Sequence, residues 1–531
     1  MQTPTGAFVR QSPPVIAAIL TVLWVAACEP AKTGATEAIG GQTGSGGDTS
    51  SGGSGSGGAA KGSGGASSSG GLTGNGSGGA QGLGGFSGSG GSAAAGGSNG
   101  AGGRSSSGGS TGSGPTGPCD IYQAANTPCG AAHSTVRALY AAYSGALYQV
   151  QRASDKATKD VPVTASGFAD SGIQDSFCAG TTCTIPVIYD QSPNGNHLRV
   201  PFFAYWLQNG GNPASATAAK ITVGGHAVYG IKSGTNVAYR TGAALSGTAA
   251  ITKGSAMVTF SSPQTLPANT VLLFATNAKD CPPNSFPNNC NFHTYRTQSG
   301  TTAATTVTLT TAYSGTSNSA TVVWNGTTKG LATGDQAEAE YSVFDGNLFG
   351  RFCCFDYGNA ELSGTDEGNA TMEAISWGAD TQFGQSGGGS GPWVAADIEN
   401  GMFEGYENGS AMVASNTSVT GFPYVTAMLK GLSAPTCPAG LTGSGCFALK
   451  AGNATSGTLA FKWNANTNNY GARPPGYSPQ KKQGAIILGT GGDGSNTGTG
   501  IWFEGAMTMG APPDATDDAV QANIVAAGYG R

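Results

Sequence analysis

The chain has 531 residues, with 24 Lys and Arg against 29 Asp and Glu and a formal net charge of −5. That weakly acidic balance, without any basic block, argues against a nucleic-acid partner. Hydrophobic residues make up 38% and glycines number 91, so a substantial core requires the apolar residues to be concentrated in part of the chain.

In chain order, Arg10 precedes an apolar run from Val15 to Ala27. The run is too short to span a bilayer and reads as a signal-peptide core. Small residues directly before Cys28 resemble a bacterial lipobox, which makes residues 1–28 a lipoprotein-type signal with Cys28 lipidated; an ordinary export signal is the other reading. Either way the chain is exported, anchored at a bacterial cell surface or outer membrane in the first case and secreted in the second. No later apolar run is long enough to cross a bilayer, so the membrane is reached only through the lipid.

Residues 29–117 collapse to Gly, Ser, Ala and Thr, with Phe86 the lone aromatic. Such a segment cannot bury enough apolar area to offset its chain entropy, so a disordered tether is expected, on the order of 50 Å from end to end. Gly-x-Gly spacings recur there by composition, with no strand before them and no helix after them, and carry no nucleotide-binding signal.

The folded part is expected over 118–531. Helical spacing occurs at Ser134–Tyr143, and again where Asp517 and Asp518 open a run carrying Val520, Ile524 and Ala527. Between them, short strands are predicted at Leu147–Arg152, Ile185–Tyr189, Ala256–Phe260, Val271–Ala275, Thr306–Thr310, Ala320–Trp324, Tyr341–Phe344, Leu459–Trp463 and Ala485–Leu488. Many short strands between Gly, Asn and Asp turns give an all-β sandwich or barrel.

Eleven cysteines fit an exported protein. Apart from Cys28 they fall into five close pairs: Cys119/Cys129, Cys178/Cys183, Cys281/Cys290, Cys353/Cys354 and Cys437/Cys446. Local disulfides are the simplest of the possible connectivities. Zinc binding is the alternative, but His133, His197, His226 and His293 do not cluster with the cysteines at zinc-site spacing. Adjacent Cys353 and Cys354 either close a small ring or stay as thiols; export favours the ring.

The stretch Gly391-Pro-Trp-Val-Ala-Ala-Asp-Ile-Glu-Asn-Gly401 carries the most chemistry. As a strand it would project Trp393, Asp397 and Glu399 to one face. A ring that covers a sugar beside two acids makes a sugar site; a solvated face with two surface acids is the other reading.

This stretch, together with Cys353-Cys-Phe-Asp-Tyr-Gly-Asn-Ala-Glu361 and Gly484-Ala-Ile-Ile-Leu-Gly-Thr-Gly-Gly-Asp-Gly-Ser-Asn496, resembles the catalytic domain of α-L-arabinofuranosidase B, glycoside hydrolase family 54. So do Ala132-His-Ser-Thr-Val-Arg-Ala-Leu-Tyr140, Tyr189-Asp-Gln-Ser-Pro-Asn-Gly-Asn-His197 and Val520-Gln-Ala-Asn-Ile-Val-Ala-Ala527, so the resemblance covers most of 118–531. It implies a concanavalin-like jelly-roll β-sandwich that releases terminal α-L-arabinofuranosyl groups from arabinan or arabinoxylan with retention; a non-catalytic cell-surface carbohydrate-binding sandwich and a glycosidase for another furanoside such as galactofuranose are the other readings. It places the nucleophile on Glu399, the general acid/base on Asp493, and sugar contacts on Asp397, Asn400, Gly401, Gly492 and the Cys353–Cys354 bridge. No cofactor or metal is implied. The expected partners are arabinose-containing polysaccharides and oligosaccharides, acted on by a monomer.

Retention requires two carboxyls about 5 Å apart. Glu399 must be ionised to attack, and Asp493 must hold a proton, which calls for a raised pKa. Four features depart from the family. Phe383 replaces a tryptophan near the sugar. Residues of about 250–331 read as an insertion, and a smaller one around 433–446 carries Cys437/Cys446. The chain also ends at Arg531, without the arabinose-binding β-trefoil that often follows, so substrate targeting is expected to fall to the tether or to other proteins.

Overall fold

Runs of branched and aromatic residues between glycine-rich turns fold as strands, and the large side chains on those strands decide how the sheets stack. The computed structural model describes residues 116–275 (except 203, 208 and 209), 294–379, 391–400, 419–439, 441, 445–459 and 470–531, with the backbone alone at 402–403, 406–407 and 411–412. All of them belong to one compact unit. The signal, the tether up to residue 115, Cys28, Cys281, Cys290, Phe383, Gly401 and His293 lie outside the described residues.

The protein is mostly β. One sheet runs Cys129–Ser134, Gly500–Met509, Glu338–Phe349, Tyr424–Ser433, Gly445–Asn453, Tyr470–Ala472, with Ile231–Lys232 added against Gly500–Met509. A second sheet runs Met402–Phe403, Trp393–Asp397, Glu373–Gly378, Asp356–Ala360, Ala485–Leu488, Tyr239–Thr241, Leu198–Arg199, Cys183–Ile188, Ala146–Arg152, Thr158–Pro162. Aromatic rings from both sheets meet: Phe344 stacks on Trp377 at 5.7 Å, Phe344 meets Phe355 edge-on, and Tyr357 lies 5.6 Å from Trp502. These rings, with Ile375, Val394, Ala396, Ile486 and Leu488, form the principal core. Two four-stranded sheets built from residues 243–325 carry a separate core around Phe260, Phe274, Tyr295 and Tyr313.

Charge is also buried between the large sheets. Lys482 Nζ lies 3.0 Å from Glu338 and 3.1 Å from Glu373, all three out of solvent, and Arg473 pairs with Asp335 at 2.6 Å. Removing one partner of a buried ion group leaves the others uncompensated. Lys482→Met is therefore expected to cost about 3–5 kcal/mol, measurable as a lower denaturation midpoint in urea.

Ser134–Tyr143 is not a helix. Ser134 ends the first strand, and its Oγ accepts from the backbone N–H groups of Val136 and Arg137 in a local turn. Arg137 then reaches a buried bidentate pair with Glu504, and Ala138 and Ala169 bond across to the Thr164–Phe168 turn and Val136. Val136 and Leu139, two of the helically spaced apolar residues, are buried, but in a loop held by tertiary partners. The C-terminal helix spans Asp514–Ala527, three residues earlier than its expected start, because Asp514 and Asp517 bind Lys430 and Lys450 of the first sheet. Short helices at Pro118–Ala124 and Ser171–Phe177 were not anticipated.

Ala485–Leu488 is a strand with the expected bounds. Beyond Leu459, the expected Leu459–Trp463 strand lies outside the described residues. Disulfides join Cys119–Cys129, Cys178–Cys183, Cys353–Cys354 and Cys437–Cys446. The last spans the turn between the paired Tyr424–Ser433 and Gly445–Asn453 strands. Among the described residues no helix is long and apolar enough to cross a membrane.

Candidate active site

Facing residues of paired strands project to the same side of a sheet. In the second sheet, Asp397 faces Ala374, Ala374 faces Gly358, Gly358 faces Ile487 and Ile487 faces Arg240. This row lies on the face turned away from the principal core, since the alternate residues Ile375, Tyr357, Val394 and Ala396 point into it. Ala360, Met372, Ala374 and Ile487 make a small apolar floor there. Cys353 and Cys354, just before the Asp356–Ala360 strand, pack with Ala395 on the same side.

Glu399 does not continue the strand alternation. The strand ends at Asp397, and Glu399 and Asn400 take φ values of 66° and 55°. This left-handed turn costs a non-glycine residue energy and is held by its surroundings. Asp397 Oδ1 accepts the Glu399 backbone N–H at 3.1 Å, Tyr477 Oη donates to the Asn400 carbonyl at 2.9 Å, and Asn400 Nδ2 donates to Asp366 at 3.0 Å. The turn swings Glu399 toward Glu361 and Asp366, so that one carboxylate oxygen from each lies within 4.8 Å of the others. Trp393 is buried at the other end of the strand, four residues or about 13 Å from Asp397, and Glu399 leaves the common face expected for the three.

Asp493 arrives from the turn after Ala485–Leu488, which folds back over the apolar floor. Its Oδ1 accepts the Ser495 N–H at 2.9 Å and its Oδ2 accepts the Trp206 indole N–H at 2.8 Å. Glycine at 492 is required by packing: a Cβ would collide with Glu361 Oε2 and sit 3.2 Å from Met372 Sδ. The close approach at this glycine is that of the protein's own acid. Gly491 faces Cys354, and Ser495 Oγ lies 3.3 Å from Cys354 Sγ, which ties this turn to the disulfide. Asp397 Oδ2 lies 3.9 Å from the same sulfur.

Burial and mutual repulsion raise these acids. Glu399 is pushed well above the carboxylate range by burial and by the charges of Glu361, Asp366, Asp493 and Asp397. Glu361 rises to about 7, chiefly through burial. Asp366 and Asp493 are also raised, first by burial. Carboxyls this close cannot all ionise at once. Arg240, lowered to about 10 by burial but still a cation, donates to the Gly492 carbonyl at 2.8 Å and lies within the field of Glu361, Asp493 and Glu399. The Glu361, Asp366 and Glu399 oxygens are spaced so that they could also hold a hard cation.

Residues 118–266 and 276–530 match the family model described as "Alpha-L-arabinofuranosidase B, catalytic". The chain belongs to this family. It is 40% identical over 420 residues to alpha-L-arabinofuranosidase B of Aspergillus oryzae, covering 78% of this chain and 62% of that protein. It is 39% identical to the arabinofuranosidase/B-xylosidase of Trichoderma koningii, covering 78% and 63%. Two solved relatives, a GH54 a-l-arabinofuranosidase soaked with a cyclic sulfate inhibitor and an arabinofuranosidase complexed with arabinofuranosyl-alpha-1,2-xylobiose, each superpose with a TM-score of 0.56 at 37% identity. Each covers 78% of this chain and is itself covered to 66%. The chain thus spans a little under two thirds of the length of these relatives.

In this member of the arabinofuranosidase B family, sequence reasoning singled out Asp397, Glu399, Asn400, Gly492, Asp493 and the two cysteines, and the structure brings them together. It missed Trp206, Arg240, Asp366 and the chemical weight of Glu361. Glu361 closes the Cys353–Glu361 motif, and its position directly after the Asp356–Ala360 strand was the available signal. Trp206 and Arg240 carry none, because only folding brings them to Asp493 and Gly492. Within the Tyr189–His197 motif, Asp190 accepts from Ala132, Ser192 and Asn196 and pins that loop.

Proposed function

We propose that the chain is an exo-acting, retaining α-L-arabinofuranosidase, a glycoside hydrolase that releases terminal non-reducing arabinofuranosyl groups from arabinan or arabinoxylan side chains by double displacement. The observation that carries this reading is the convergence of Glu399 and Asp493 in one buried acid cluster beside the Cys353–Cys354 disulfide, in a chain of this family. Glu399 attacks the anomeric carbon while Asp493 gives its proton to the leaving oxygen. Because Glu399 is the more strongly raised of the two acids, attack requires its proton to pass to Glu361, leaving Glu399 as the carboxylate. Ester formation then removes the Glu399 charge, Asp493 ionises more readily and draws a proton from water, and water cleaves the ester. Asp397, Asn400, Gly401, Gly492 and the disulfide contact the sugar, with Phe383 and Trp393 as its aromatic neighbours, and no cofactor takes part.

The same reading takes the two large sheets as a concanavalin-like jelly roll, 118–531 as one catalytic domain with the stretch of about 250–331 as an elaboration of it, and 29–117 as a disordered tether. The enzyme is exported, lipidated at Cys28 and monomeric. Incubation of the full chain with 4-nitrophenyl α-L-arabinofuranoside, followed by proton NMR of the first-formed arabinose, tests the activity and its stereochemistry. The α-anomer should appear first; the β-anomer, or no release by folded protein, overturns the reading.

Trp206→Phe keeps the ring and removes the indole donor to Asp493. That hydrogen bond favours the charged carboxylate, so its loss raises the Asp493 pKa. The alkaline limb of the kcat/KM profile, where the acid loses its proton, should move to higher pH. An unmoved limb would show that Trp206 does not tune the acid.

A further inference from the structure

A polar cavity lies beside the Leu198–Arg199 strand of the second sheet. It has a volume of about 300 Å³ and is lined by residues of the 194–199 loop and strand and of the 267–329 stretch. The row that carries Asp397, Ala374, Gly358, Ile487 and Arg240 continues one strand further, because Arg240 faces Arg199. Arg199 therefore projects to the side that carries the acid cluster, three strands or roughly 14 Å from Gly358.

The lining is cationic. Arg199 and Lys329 both line it, and no carboxylate does. Arg199 Nη1 is buried with no hydrogen-bond partner among the described residues, a state that costs free energy unless a ligand or water fills it. His197 Nδ1 accepts the Asp190 backbone N–H at 3.0 Å, which assigns the ring proton to Nε2 and makes that nitrogen a donor. Thr270 and Asn325 also line it and add a hydroxyl and an amide. A planar guanidinium suits a carboxylate's two oxygens, and surrounding hydroxyl and amide groups suit the hydroxyls of a sugar ring.

We propose that this cavity binds the carboxylate of an acidic sugar, a hexuronate, carried on the same glycan whose arabinofuranosyl end enters the acid cluster. Residence on the same glycan rests on the arabinofuranosidase reading; binding of the acidic sugar does not. The site would make the enzyme prefer arabinose-bearing chains that are also acidic.

The test uses the full chain. Calorimetric titration with D-glucuronate should show saturable binding, D-glucose should show none, and sodium sulfate should compete weakly. Arg199→Gln and Lys329→Ala should each weaken glucuronate by about tenfold, with hydrolysis of 4-nitrophenyl α-L-arabinofuranoside unchanged. Lys329 is exposed, so its variant carries the test if Arg199→Gln fails to fold. On arabinoxylo-oligosaccharides, a glucuronate branch should raise kcat/KM in the wild type and not in the variants. Equal binding of glucose, stronger binding of sulfate, or unchanged binding in both variants overturns the proposal. Absence of any arabinofuranoside hydrolysis would instead be the failure of the enzyme reading, and leaves the binding result to stand or fall alone.

Discussion

Replacing Glu399 with glutamine is expected to lower kcat on every arabinofuranoside by about 10⁴-fold or more, because a covalent route without its nucleophile has no first step. Good and poor leaving groups should suffer alike, since attack is lost in both. The substitution is nearly isosteric, so the left-handed turn at Glu399 and its bond from the backbone N–H to Asp397 should persist. Stability provides an independent check. The folded-state pKa of Glu399 is raised, so its ionised form is disfavoured in the native protein, and stability from this group falls as pH rises from the ordinary carboxylate range through the folded pKa. At pH 7 the neutral amide escapes that penalty. Glu399→Gln should therefore melt no lower than the wild type while being inactive. A large drop in melting temperature would mean that the loss of activity reports damage to the fold.

Asp493→Asn should divide substrates by leaving group. On arabino-oligosaccharides, where the departing sugar oxygen needs a proton, kcat/KM should fall about 10²–10⁴-fold. With 4-nitrophenol, a stable anion, the first step should be nearly spared. Hydrolysis of the ester still needs a base, so the variant should release one rapid equivalent of nitrophenol and then turn over slowly. Azide, a nucleophile that needs no deprotonation, should restore turnover. Equal losses on both substrate classes, without a burst, would assign the proton transfer to another group. Glu361 and Asp366 are the nearest candidates, since both are buried acids with raised pKa.

Much of the site was legible because its residues sit at strand ends. The Ala485–Leu488 strand and the Gly-Gly-Asp-Gly turn after it were visible as an apolar run and its punctuation, and so was the short strand leading to Asp397. The left-handed turn at Glu399 was not, because nothing in the residue types Glu and Asn requires φ > 0; Tyr477 and Asp366 hold it from distant parts of the chain. Helical spacing misled at Ser134–Tyr143 for the same reason. Val136 and Leu139 are buried at the predicted positions, but Arg137 gains a buried pair with Glu504 that a continuous helix would not have offered.

The long strands Glu338–Phe349 and Tyr424–Ser433 were only partly read or missed. Glu338 and Lys430 interrupt their apolar patterns, yet these charges are buried against partners from other elements: Glu338 by Lys482, and Lys430 by Asp514 and Asp517. Trp206 illustrates the limit most plainly. Its indole belongs to Asp493 only after residues nearly 300 positions apart have been folded together.

The assignment of the nucleophile is tested most directly by trapping the covalent intermediate. The full chain would be incubated with a slowly hydrolysed fluorinated arabinofuranoside bearing a good leaving group, digested, and analysed by mass spectrometry. One sugar is expected per chain, on the peptide that contains Glu399 and on that carboxyl, with none in Glu399→Gln. A label on Glu361, Asp366 or Asp397, or continued turnover with no label and inversion at the anomeric centre, would contradict it.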